Sequence, residues 1–248
     1  MKRYRAALAI LILCVCGTLS AGAYQMLSSF DTATPHRFQL QVFGCSSLNL
    51  AGKVREVDFY YNGDSYSGIS GLGLDFGIDP CNEAGLDAWI GHGAKLHYKR
   101  LLKQKANSVL SIAPAYNFEY GTYETTPGSN QNTPQGSQKY YAHGLELAVL
   151  YTIPMSEKNS CNLSARMNLD LLNSTGRYEV PGGGVEDMEW GPYFIAHGGV
   201  TANWRFHLGG HIAFIPELGL EVCSMRNDAP IVRFSGGMAV SASWDFPK

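Results

Sequence analysis

The stretch CNLSARMNLDLLN, Cys161 to Asn173, alternates almost without interruption. Leu163, Ala165, Met167, Leu169 and Leu171 occupy the odd positions, and Asn162, Ser164, Arg166, Asn168 and Asp170 the even ones. A strand sends successive side chains to opposite faces, so this one has a face of leucines and a face bearing an arginine and an aspartate. Two environments suit such a strand. In a soluble sandwich the apolar faces meet in the middle. In a membrane barrel the apolar face meets lipid and the polar face lines the lumen.

The pattern recurs. Beyond Ser29 the chain shows almost no 3.6-residue periodicity and reads as ten period-2 segments: 37–48, 54–61, 67–78, 87–99, 109–123, 140–153, 162–173, 190–207, 211–225 and 231–246. In the eighth, Trp190, Phe194, Val200, Ala202, Trp204 and Phe206 share a face, opposite Tyr193, His197, Thr201, Asn203 and Arg205. Short connections (NGDS at Asn62, KQKANS at Lys103, PMSEKNS at Pro154, HLGG at His207) alternate with long ones after Thr125 and Ser174. GIDPCNEAG at Gly77 is intermediate, and RNDAP at Arg226 is a short exception. An even strand count with short turns at one end and longer loops at the other fits an antiparallel up-and-down transmembrane β-barrel, with ten strands expected and eight to twelve the range the borders allow.

Three features choose the barrel over the sandwich. Most segments reach the nine to eleven or so residues that cross a bilayer, where soluble strands average about five or six. Tyr98, Tyr151, Trp204, Phe206, Phe214, Trp244 and Phe246 fall on the outward parity near the short-turn end, and Tyr120 and Trp190 near the other, as two aromatic girdles. The polar face mixes charges of both signs with Gly71, Gly73, Gly91, Gly93 and Gly199, unlike a solvated outer face. Charged residues are 16% of the chain, below the roughly 25% of soluble domains. A net charge of −2 argues against a nucleic-acid partner held through phosphates.

The N-terminus reads MKRYRAALAILILCVCGTLSAGAY. Lys2, Arg3 and Arg5 precede a short apolar run and a small-residue site at Ala21-Gly22-Ala23, the pattern of a cleaved secretory signal peptide over 1–23. The expected organisation is then a short periplasmic segment, 24–36, and a single barrel domain, 37–248. Among the remaining cysteines none has zinc-knuckle spacing. By height along the segments, Cys45 and Cys81 form the best-placed bridge, with Cys45–Cys223 second and Cys161 free.

The signal peptide, the ten alternating segments and the terminal SASWDF resemble the small bacterial outer-membrane β-barrel proteins. That resemblance implies a bacterial outer-membrane location and makes Trp244 and Phe246 the aromatic signal read by the barrel-assembly machinery. Pro247-Lys248 departs from the family, which usually stops at the aromatic.

On this parity the lumen charges include Arg37, Asp75, Lys95, Glu119, Glu146, Arg166, Asp170, Arg205, Glu217, Glu221 and Arg233, with Glu56, Asp58, His97, Lys99 and Asp245 on the same face. In a narrow lumen opposite charges should pair, since an unpaired one costs several kcal/mol or so. Ten strands lie nearer the filled interior of eight than the open channel of sixteen. Pro114 and Pro216 fall inside strands and predict local bulges.

Chemistry is sparse. The omptin proteases resemble ten-stranded barrels with Asp/Asp and Asp/His pairs at the outer rim. Here His36, His97, His207 and His211 fall toward the turn end and His197 near mid-barrel. His92 falls on the outward face near mid-membrane. His143 nears the rim but points to lipid, and it matches Ser137 or Ser156 poorly in height for a lipid-deacylating site. Rim acids at Asp79, Asp87, Glu124, Asp187 and Asp228 read as solvated loop charges. No catalytic residue, metal or cofactor is expected. The expected role is structural, surface contact through 125–138 and 174–189, or narrow passage of solutes, with membrane lipid as the main partner and a monomer as the state. An outer-membrane hydrolase and a secreted β-sandwich binding module are the alternatives.

Overall fold

The computed structural model describes residues 31–51, 66–125, 136–156, 159–180, 184–225 and 230–246. The signal-peptide region and the 54–61 segment lie outside these residues. The strands are β1 Phe38–Ala51, β2 Tyr66–Asp79, β3 Asn82–Trp89, β4 Gly93–Lys105, β5 Ser108–Thr125, β6 Gly136–Pro154, β7 Asn159–Val180, β8 Gly184–Gly209, β9 Ile212–Met225 and β10 Ile231–Trp244. Each pairs antiparallel with the next, and β10 closes on β1. A single closed sheet excludes the sandwich.

The count of ten is kept by a different route from the expected one. Segment 87–99 is two strands: β3 and β4 pair from Asn82↔Arg100 to Trp89↔Gly93, around a turn at Ile90, Gly91 and His92. Gly91 takes φ 78°, a conformation glycine adopts without strain. His92 therefore lies in a turn and not on the wall. β2 consequently runs opposite to the expected direction, and its Asp79–Asn82 connection joins the other short turns. Asn82 Nδ2 donates to both Asp79 carboxylate oxygens (2.9 and 2.8 Å) and Cys81 N–H to one of them (2.7 Å). These donors hold the Asp79 carboxyl below the usual carboxylate range.

Pairing fixes the tilt. The row from Gln39 passes Asp75, Gly85, His97, Ala115, Glu146, Asn168, His197 and Cys223 and reaches Ile231, beside the outer end of β1. A stagger of about 12 residues over ten strands spaced about 4.8 Å inclines them by about 40°. Each residue then climbs about 2.5 Å along the axis. Tyr151 and Tyr141, ten residues apart on β6, are about 25 Å apart along the axis, the height of an apolar band. Phe38, Phe76, Phe206, Phe214 and Trp244 lie near the level of Tyr151. Phe118, Tyr120 and Phe194 lie near that of Tyr141. The Trp190 side chain is outside the described set.

Burial is inverted relative to a soluble protein. Outward Leu145, Met167 and Phe194 are 68%, 67% and 74% exposed, while inward Glu146 and Arg166 are 6% and 3% exposed. The outer rim is uneven. β3 has 8 residues, and β8 has 26. β5 to β8 therefore rise well beyond the band as a tall wall.

Candidate functional site: the charged lumen

The lower half of the lumen is a set of matched pairs. Adjacent strands place inward side chains in register, so partners meet across a ladder. Lys99 on β4 donates to Glu83 on β3, and Arg166 on β7 to Glu146 on β6. Lys95 lies 3.1 Å from Asp87. His97 Nε2 lies 2.8 Å from Asp75 Oδ1 and its Nδ1 3.7 Å from Asp87 Oδ2. Asp75 and His97 come from strands flanking β3 and meet over Gly85, where any side chain would collide with both. Arg205 donates to Gln39 (3.1 Å), Ser241 (3.1 Å) and Ser243 (2.7 Å). In so narrow a space these partners remove what would otherwise be a penalty of several kcal/mol or so per buried ion.

A short segment ahead of β1 enters this half from the turn end. Thr32, Ala33 and His36 are buried. Asp31 Oδ2 lies 3.3 Å from Arg166 Nη2, and Asn203 Nδ2 donates to the Asp31 carbonyl (3.3 Å). Ala33 N–H donates to Thr152 Oγ1 (2.8 Å), and the Ser111 hydroxyl donates to the Ala33 carbonyl. His36 N–H donates to Glu83 Oε2 (2.5 Å), and its Nδ1 lies 2.7 Å from Asp245 Oδ1. Burial pushes the His36 imidazole below its usual range, against the pull of Asp245; the same contact holds the Asp245 carboxyl low. The stretch expected to lie in the periplasm is thus, over 31–36, inside the barrel mouth.

The upper half is different. His197 Nε2 lies 3.4 Å from Asp170 Oδ2 and 3.9 Å from Cys223 Sγ, and Asn168 Nδ2 donates to both Asp170 oxygens. Glu119, Glu221 and Arg233 are buried at similar heights. Above them Ala142, Leu172, Ile195 and Ile231 pack with Cys223, flanked by Tyr140 and Tyr193. This apolar layer caps the polar one.

Ten of the eleven predicted lumen charges point inward and are buried: Asp75, Lys95, Glu119, Glu146, Arg166, Asp170, Arg205, Glu217, Glu221 and Arg233. Arg37 does not. It precedes β1 at the rim and is exposed, although its parity matches Gln39. Glu56 and Asp58 lie outside the described residues. Asp87, expected as a solvated rim acid, faces inward from β3, as does Glu83, which lies in the expected 77–85 connection. Nothing in the sequence ahead of β1 marks Asp31 as a partner of the lumen charges.

The cysteine pairing is also corrected. No disulfide joins Cys45 to Cys81. Cys45 sits level with Ile69 on β2, and Cys81 lies beyond Asp79 at the other end of that strand. Ten residues of strand are about 33 Å, against the roughly 7 Å a disulfide allows. Trp244 ends β10 and stacks on His211 (5.0 Å) and against Phe38 (5.3 Å); the Phe246 ring covers Gly77. His143 lies on the outward face, 3.4 Å from the Tyr116 hydroxyl.

Asp31, Asp75 and His97 bring donor atoms within 4.8 Å of one another. Arg166, Lys95 and Lys99 crowd the same volume and supply the countercharge, so the trio belongs to the ion-pair network.

No protein-family model matches the chain, and no curated protein matches it. Solved structures do. The outer-membrane protease OmpT of Escherichia coli is similar at 9% identity and a TM-score of 0.53, over 87% of this chain and 100% of that one. Neisserial surface protein A is similar at 10% identity and a TM-score of 0.36, over 84% and 97%. The attachment invasion locus protein Ail of Yersinia pestis is similar at 11% identity and a TM-score of 0.35, over 83% and 99%. The first of these likenesses supports the fold, a small outer-membrane-type β-barrel, and carries nothing about activity.

Proposed function

We propose that this protein is an integral outer-membrane barrel whose lumen is closed and whose work is done at its outer surface, as an envelope component or a contact site. The observation that carries this is the inverted burial, with leucine, methionine and phenylalanine outside and matched charges filling the inside. The tall β5–β8 wall supports a surface role; most of the expected 174–189 connection is part of that wall, 174–180 in β7 and 184–189 in β8. The reading brings with it export by a signal peptide over 1–23, recognition of Trp244 and Phe246 by the barrel-assembly machinery, and a monomer in lipid. Reconstitution in planar bilayers tests it: no conductance steps are expected, and reproducible ohmic steps would replace it with a narrow pore.

An outer-membrane hydrolase is the competing reading. The His197–Asp170 pair favours it; Leu172 and Ile195, packed above that pair, weigh against it. Protease and lipid substrates assayed with the wild type and His197→Ala separate the two, and turnover lost in the variant would decide for the hydrolase.

A further inference from the structure

We infer that residues 31–36 are a reversible seal, and that the lower lumen is a site for a short peptide bearing a carboxylate side chain, filled here by the chain's own segment. The inference rests on the barrel reading. The contacts are those of peptide recognition: the Asp31 carboxylate anchors on Arg166, and main-chain groups of Asp31, Ala33 and His36 are held by side chains of β3, β5, β6 and β8. Ala33 fills an apolar seat with Val109, Ala113, Ala148 and Leu150. Residues 31–36 add no strand to the wall, which closes between β1 and β10 without them; wall pairing begins at Arg37, whose N–H donates to the Trp244 carbonyl and whose carbonyl accepts from the Gly77 N–H.

Reversibility follows from the second partners of the groups that hold it. Arg166 also pairs with Glu146, and Glu83 with Lys99. Thr152 also donates to Asn162, and Asn203 bonds to both Asn162 and Glu217. Departure of the segment therefore strands no wall charge. Opening can be local, with the barrel intact.

The test uses the folded full-length chain carrying Ala113→Cys, a small change in the seat of Ala33. Labelling by a membrane-impermeant maleimide is followed at that position by mass spectrometry. With Asp31 in place labelling is expected to be slow. Asp31→Asn is expected to raise the rate about tenfold or more, and an added synthetic peptide of residues 31–36 to lower it again, while heat-modifiable gel migration persists. Equal rates with Asp31→Asn and with the harsher Ala33→Asp would overturn the seal. Loss of barrel migration on Asp31→Asn would also overturn it, by making the segment part of the wall's stability. Absence of heat-modifiable migration in the parent protein would instead sink the barrel reading itself.

Discussion

Arg166 shows how one residue can be legible and still underestimated. Its parity places it inward, but the alternation says nothing of its partners, Glu146 from the neighbouring strand and Asp31 from the segment below. Arg166→Leu leaves both carboxylates facing a gap and is expected to destabilise the barrel by about 3–5 kcal/mol. Pairing it with Glu146→Leu should recover a large part of that loss, read from urea-gradient gel migration; equal loss in the single and double variants would contradict the pairing. His36 gives a pH dependence. Burial holds its imidazole below the usual range, so the unfolded chain takes up a proton that the folded chain resists. Its contribution is complete above the unfolded imidazole's pKa and is lost as pH falls through the lower folded value. Asp245, also held low, adds a second loss in the carboxylate range. Stability measured between pH 8 and pH 5 should therefore fall, and His36→Gln should flatten the curve over the imidazole range.

At the level of the element, the faces were readable and one boundary was not. The paired residues Trp89 and Gly93 share a face, and the three-residue turn between them keeps odd residues inward on both sides. The alternation runs from Asp87 to Lys99 with no phase slip, so the hairpin leaves no trace in the pattern. The hairpin reverses β2 relative to an unbroken 87–99 strand and carries Cys81 to the turn end, away from Cys45. Modification without denaturant should accordingly reach exposed Cys81 and spare buried Cys45. Where the phase is unbroken within a strand, as in β7, the reading is sound and quantitative. Met167→Arg, at mid-band, is expected to cost about 2–4 kcal/mol, while Tyr141→Arg, near the outer girdle, should cost about 0–1 kcal/mol. Similar costs at the two positions would show that no lipid band lies between them.

At the scale of the molecule, closure ties these observations together. Ten strands staggered by about 12 residues give an interior narrow enough for side chains to meet across intervening strands, which is why Arg205 of β8 reaches past β9 and β10 to Gln39 of β1. The inside is thereby polar and filled, and the outside is left to the apolar residues. A spin label tests which medium covers that outside. In reconstituted bilayers, a nitroxide at Met167→Cys should relax with oxygen dissolved in lipid and ignore a water-soluble nickel chelate. Strong relaxation by the chelate at that position, with none by oxygen, would contradict the account.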